Sequence, residues 1–218
     1  MKRYAFTILL VGLVAVLKPA LGQDPKRFEK EVASITAASP TDTEDIVLFT
    51  GSSTIRMWKD IQTYFPSYNI LNRGFGGSQT SDLLYYADEL IVNYHPVKVF
   101  IYEGDNDLGA GKSTEVILRD SRELVKHLRE KLGAQLPIIF ITPKPSKARW
   151  HLKENYLTYI DALKQWAKTE PHVSVADLWT PMLASDGVVM QDIFLEDGLH
   201  MNKKGYDIWG KALAPFVK

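Results

Sequence analysis

The chain has 218 residues and a mass of 24.7 kDa, with 45% hydrophobic and 24% charged residues. That make-up fits one globular domain that buries its core without disulfide or metal staples, and it excludes an intrinsically disordered chain. The 26 Lys and Arg balance 26 Asp and Glu, so no basic excess exists to neutralise phosphates, and nucleic-acid binding is not expected. There is no cysteine, which excludes thiol catalysis, Cys-ligated zinc, iron–sulfur clusters and a cysteine-linked lipid anchor.

Lys2 and Arg3 precede an apolar run over 5–17, followed by Lys18, Pro19 and the small-residue stretch Ala20-Leu21-Gly22. This is the layout of a secretory signal peptide: charged n-region, short h-region, small-residue cleavage site. The run is too short to span a bilayer. Cleavage is expected after Gly22, giving a secreted or periplasmic protein with no stable membrane insertion. It leaves 23 basic and 26 acidic residues, a net charge of −3. The expected organisation is therefore a signal peptide over 1–22, an N-terminal helix and lead-in over 23–44, and the main domain over 45–218.

In chain order, 28–38 reads as a helix stopped by Ser39-Pro40. The run 45–50 is β-branched and apolar, a buried strand ending at Gly51. A second strand over 68–72 is ended by glycines 74, 76 and 77. Helical spacing of Leu83, Leu84, Ala87, Leu90 and Ile91 predicts one helix over 81–93, stopped at His95-Pro96. A third strand covers 97–102, and a long amphipathic helix covers 114–132 with Gly133 as its cap. A fourth strand (137–142), a helix (153–168), a fifth strand (173–176) and a closing helix (203–216) complete the chain. Strands separated by helices imply right-handed crossovers and a parallel sheet covered on both faces. In such sheets ligands bind outside the carboxyl ends of the strands.

The loops at those ends carry the chemistry. Gly51-Ser52-Ser53 sits at a strand-to-helix junction, where a serine either caps the helix or points its hydroxyl into the crevice. It is not the nucleophile elbow of α/β-hydrolases, because Thr54-Ile55 follows where that motif needs a glycine. Gly74-Phe75-Gly76-Gly77 departs from a dinucleotide fingerprint: Gln79 stands at the last glycine position, and this is the second βα turn. In Gly104-Asp105-Asn106-Asp107 the alternating carboxylates hint at calcium, but Ala110 and Val116 occupy the positions where an EF-hand needs glycine and glutamate. No metal is expected. An asparagine amide at a strand end suits a developing oxyanion. In Asp197-Gly198-Leu199-His200 the spacing lets the carboxylate reach the ring Nδ1–H and leaves Nε2 as a base. His95, His127, His151 and His172 have no comparable partner nearby in sequence. The fifth loop, Pro143-Lys144-Pro145, has no assigned chemistry.

These four blocks, in this order and spacing, resemble those of the SGNH hydrolase superfamily, the GDSL esterases and lipases, over roughly residues 45–217. The chain is most similar to the branch that includes platelet-activating factor acetylhydrolase subunits. The resemblance implies a three-layer αβα sandwich with a parallel five-stranded, flavodoxin-like sheet. It also implies a serine esterase acting through an acyl-enzyme without a cofactor. Ser52 stands where the family usually has aspartate, so the nucleophile position maps to Ser53. The oxyanion donors map to Ser53, Gly77 and Asn106, the orienting acid to Asp197 and the base to His200. The expected substrate is a small-molecule or carbohydrate ester with a short acyl or acetyl group. A lysophospholipase or thioesterase is the alternative within the family, and a non-catalytic carbohydrate-binding protein the alternative outside it. Trp58, Phe75 and Trp150 lie near the site loops; they either stack on a sugar ring or pack the core. Oligomeric state is not legible.

Overall fold

The computed structural model describes residues 24–38 and 42–218; the expected signal peptide lies outside the described residues. Five parallel strands form one sheet: β1 (Ile46–Gly51), β2 (Asn69–Gly74), β3 (Lys98–Tyr102), β4 (Ile138–Ile141) and β5 (Val173–Ala176). Their order is β2-β1-β3-β4-β5, the flavodoxin-like arrangement, in which the strand order switches sides between β1 and β3. Every residue of β1 is buried, as its unbroken apolar run predicts for a strand covered on both faces.

Successive side chains alternate between two cores. Ile46, Leu48, Val99, Ile101, Ile138 and Phe140 face one side, and Val47, Phe49, Phe100, Tyr102, Ile139 and Ile141 face the other. The first face is covered by α1 (Glu29–Ala37), α4 (Thr80–Tyr85), α5 (Ala87–Leu90), α7 (Thr114–Leu132) and α8 (Lys153–Ala167). The second is covered by α2 (Ser53–Arg56), α3 (Ile61–Tyr64) and α9 (Lys203–Val217). One further short helix, α6 (Asp105–Gly109), follows β3. This is the expected three-layer sandwich.

Two departures have local causes. The helix expected over 81–93 is divided into α4, α5 and a 3-10 turn over Val92–Tyr94. The division at Tyr86 lets that side chain turn inward, where its ring meets Phe75 edge-on and its hydroxyl donates to Pro25 O at 3.2 Å. The N-terminal helix is also more than a lead-in. Phe28 and Val32 join the first core, and Phe28 packs edge-on against Phe75 at 5.1 Å.

At the carboxyl edge, β1 and β3 approach closely. Gly51 has φ +124°, and a Cβ built on it would lie 2.0 Å from the Tyr102 carbonyl oxygen. Only glycine satisfies both constraints. Gly51→Ala is therefore expected to lower unfolding free energy by roughly 2–4 kcal/mol, read from urea unfolding of the two proteins.

Candidate active site

The first loop turns directly from β1 into α2. Ser52 is buried and its carbonyl accepts from the backbone N–H of Ile55 and Arg56, opening the helix. Its backbone N–H donates to Tyr102 O at 3.1 Å. The Ser52 side chain makes no hydrogen bond to any described residue; its contribution is through the backbone. Ser53, the first residue of α2, is half-buried and its hydroxyl is available. Two long-range contacts hold this short helix. Asn72 Nδ2 donates to Ile55 O at 2.7 Å while its Oδ1 accepts from Gly74 N, and Tyr206 OH donates to Thr54 O at 2.9 Å.

Ser53 Oγ lies 2.9 Å from His200 Nε2, across a sequence separation of 147 residues. His200 Nδ1 lies 2.6 Å from Asp197 Oδ2, and the other carboxylate oxygen accepts the backbone N–H groups of Leu199 and His200 at 2.9 Å each. Partial burial works to raise the Asp197 pKa, but the bonds to the His200 ring and to the two backbone N–H groups outweigh it and bring it down to about 2. Asp197 is thus ionised at neutral and mildly acidic pH, with its Oδ2 placed to accept a proton-bearing Nδ1 of His200. Asp197 and His200 lie in an irregular loop before α9.

Gly77 is exposed with φ +74°, and a Cβ there would meet nothing within 4 Å. Neither Ser53 N–H nor Gly77 N–H donates to another described residue. Asn106 projects from the first turn of α6; its Nδ2 donates to Ser78 O at 2.9 Å and its Oδ1 accepts from Arg149 Nη2 at 2.9 Å. Glu31, on the N-terminal helix, accepts from Gly76 N at 2.9 Å and from Arg56 Nη1 at 3.3 Å, so a residue outside all four blocks anchors the second one.

Two of the candidate aromatics are core residues. Trp58 and Phe75 are fully buried; Trp58 packs among Phe49, Phe65, Tyr206 and Trp209. Trp150 is only partly buried and stacks on Trp179 at 6.0 Å between centroids. Among the other histidines, His127 pairs with Asp88 at 2.6 Å, remote in sequence from the site. No cluster of His, Cys, Asp or Glu among the described residues has the form of a metal site.

The carboxylates around Asn106 have structural partners that spacing did not reveal. Asp105 is buried and accepts from Tyr102 OH, Lys144 Nζ, Arg149 Nη1 and Tyr156 OH. Burial alone would raise its pKa, but the Lys144 and Arg149 charges pull it well below the usual carboxylate range. Asp107 accepts from Thr80 N, Gly104 N and Lys112 Nζ. Lys144, in the loop left without a role, is completely buried on Asp105. Local sequence carries no signal for these pairs, because Lys144 and Arg149 are 39 and 44 residues from Asp105.

The GDSL-like Lipase/Acylhydrolase family matches residues 34–208. The chain belongs to that family. None of the curated proteins matches it. Among solved structures of the family's fold, it is similar to a candidate platelet activating factor from Streptococcus pneumonia, with TM-score 0.77 and 20% identity over 89% of this chain and 92% of that one. A GDSL-like lipase from Bacteroides thetaiotaomicron has TM-score 0.70 and 18% identity over 89% and 97%. A carbohydrate esterase family 3 protein from Talaromyces cellulolyticus has TM-score 0.65 and 17% identity over 79% and 95%. The expected fold, a parallel five-stranded sheet between helical layers, is the one these structures share.

Behind the family's second and third blocks lies a buried acid. Glu103 Oε1 accepts from Ser78 Oγ at 2.6 Å, while Oε2 has no partner among the described residues. Burial, with Asp107 beside it, pushes the Glu103 carboxyl well above the usual carboxylate range. A carboxyl whose pKa rises on folding contributes stability at low pH that is lost as pH climbs toward the folded-state value. Glu103→Gln keeps an acceptor for Ser78 and removes the titration. Its stability relative to the parent should therefore grow from pH 4 to pH 9, by roughly 1 kcal/mol or more, as measured by urea unfolding across that range.

Proposed function

We propose that this chain is a serine ester hydrolase with Ser53 as nucleophile, His200 as general base and acid, and Asp197 as the orienting carboxylate. The observation that carries the reading is the unbroken relay from Ser53 Oγ to His200 Nε2 at 2.9 Å and from His200 Nδ1 to Asp197 Oδ2 at 2.6 Å. A binding protein has no use for such a relay, which argues against a non-catalytic role. Ser53 Oγ attacks the ester carbonyl carbon as its proton passes to His200 Nε2. The negative charge on the carbonyl oxygen is met by Ser53 N–H, Gly77 N–H and the second Nδ2–H of Asn106. His200 then protonates the leaving alcohol, and a water molecule activated by the same ring hydrolyses the acyl-enzyme. Asp197 remains ionised throughout and balances the imidazolium. None of these steps requires a cofactor.

For the substrate we favour short-chain, chiefly acetyl, esters on carbohydrate. Two observations support this: the site is open, with Gly77 exposed and the His200 side chain 24% exposed, and the similar structures include a carbohydrate esterase and an acetyl-xylooligosaccharide esterase from Geobacillus. With Trp58 and Phe75 in the core, stacking on a sugar ring would fall to Trp150. The lysophospholipase or thioesterase alternative predicts rates that rise with acyl length. p-Nitrophenyl esters of graded chain length, with acetylated xylan alongside, separate the two: the acetyl ester should be the best of the series.

Ser53→Ala is expected to abolish covalent labelling by a fluorophosphonate. Ser52→Ala should retain labelling and cost less than about 1 kcal/mol of stability, because no side-chain bond of Ser52 to a described residue is lost. An adduct mapped to Ser52 would move the nucleophile assignment. We further propose that the protein is exported, on the strength of Lys2, Arg3, the apolar run and Ala20-Leu21-Gly22. Mass spectrometry of protein from its native host should find Gln23 as the first residue; a full-length chain in the cytoplasm would refute export.

A further inference from the structure

We infer that Arg149 is a positioning residue for the oxyanion hole: it fixes the Asn106 amide so that one Nδ2–H faces the substrate oxygen, and it places positive charge one hydrogen bond behind that donor. The inference rests on the reading of Asn106 as an oxyanion donor.

A primary amide on a short helix has two orientations differing by a flip, and only one of them serves a developing negative charge. Here both ends of the amide are committed. Arg149 Nη2 donates to Asn106 Oδ1 at 2.9 Å, and Nδ2 donates one hydrogen to Ser78 O at 2.9 Å. A guanidinium has no acceptor, so it tolerates only the oxygen of the amide. The flipped amide would set two donors against each other and turn its oxygen toward the Ser78 carbonyl. The orientation that remains leaves the second Nδ2–H free.

Arg149 is itself held. Its Nη1 donates to Asp105 Oδ1 at 2.6 Å and to Asp105 O at 2.8 Å. Its side chain is 20% exposed. It also lies over Gly109: a Cβ on that residue would come within 2.9 Å of the guanidinium carbon. The small residue at the end of α6 thus makes room for it.

The charge count favours the hole. Two cations, Lys144 and Arg149, share the single carboxylate of Asp105. This leaves net positive charge next to an amide that must stabilise an oxyanion, in surroundings where fixed charge is poorly screened. The same loop reaches the other half of the site, since Ala148 N donates to Gly198 O at 3.1 Å. One segment after β4 therefore ties the oxyanion donor to the Asp197–His200 loop.

The test is a double-mutant cycle on the full-length protein with p-nitrophenyl acetate: parent, Arg149→Met, Asn106→Ala and the pair, each checked for folding by circular dichroism and thermal melting. Arg149→Met should lower kcat by roughly 10–100-fold with KM within about twofold, the signature of a misplaced transition-state contact. In the Asn106→Ala background the same change should lower kcat by less than about threefold, because the group it acts through is gone. Equal effects in both backgrounds would show a merely structural role and overturn the inference. So would a folded Arg149→Met enzyme with parental kcat. Should Arg149→Met not fold, Arg149→Lys carries the same cycle: one ammonium retains the Asp105 ion pair but lacks the second arm for Asn106, so kcat should still fall and the loss should still vanish in the Asn106→Ala background. An Arg149→Lys enzyme with parental kcat would overturn the inference. Parental kcat in Asn106→Ala itself would instead defeat the assignment of the oxyanion hole, an outcome separate from all of these.

Discussion

Asp105 is a buried carboxylate with four charged or hydroxyl donors on it: Tyr102, Lys144, Arg149 and Tyr156. These donors come from the end of β3, the loop after β4 and the helix α8, so one side chain joins the β3-to-β4 and β4-to-β5 crossovers at the carboxyl edge of the sheet. A buried charge of this kind is costly to desolvate and is tolerated only when its lone pairs are all met. Net stability from such a cluster is small, but removing the shared carboxylate would strand Lys144 and Arg149, a loss of about 3–5 kcal/mol for a broken buried pair. What the cluster provides is a single geometry for the turn that presents Asn106.

Ser53 is positioned by a different constraint. β1 lies between β2 and β3, and its last residue approaches the Tyr102 carbonyl so closely that no side chain fits at Gly51. The chain then bends at once into a helix of four residues. A helix that short cannot sustain itself. Asn72 on one flank and Tyr206 on the other supply the missing bonds. Ser53 is therefore held by strand β2 and helix α9 as much as by its own segment, and α9 also follows directly from the loop that delivers His200.

The second block is supported from two directions of unlike chemistry. On the outside, Glu31 accepts the Gly76 N–H and joins Arg56. On the inside, Glu103 accepts from Ser78, whose carbonyl in turn accepts from Asn106. The inner acid is favoured in its neutral form by burial, while the outer one is half-exposed and paired with arginine. The N-terminal helix thus belongs mechanically to the site, although its residues contain no recognisable motif.

Much of this protein was legible without coordinates. Apolar periodicity located all five strands and the long helices to within one or two residues, because a strand buried on both faces and an amphipathic helix each leave a local signature. Four short blocks named Ser53, Gly77, Asn106, Asp197 and His200 as candidates, Ser53 and Gly77 through the family resemblance, and the doubly wound topology favours the edge where strand ends meet. Local sequence could not say that Trp58 and Phe75 face the core, that the helix after residue 80 breaks at Tyr86, or that Ser52 acts only through its backbone. Nor could it pair Asp105 with Lys144 and Arg149, or place Glu31 under the glycine-rich loop. Each of those depends on partners tens of residues away that meet only when the sheet closes, and a buried ion pair leaves no periodic trace in either partner's neighbourhood. The sequence by itself determined the order of strands and helices and the chemical groups at their ends; the tertiary structure alone decided which of those groups touch, because long-range contact is a property of packing and not of spacing along the chain.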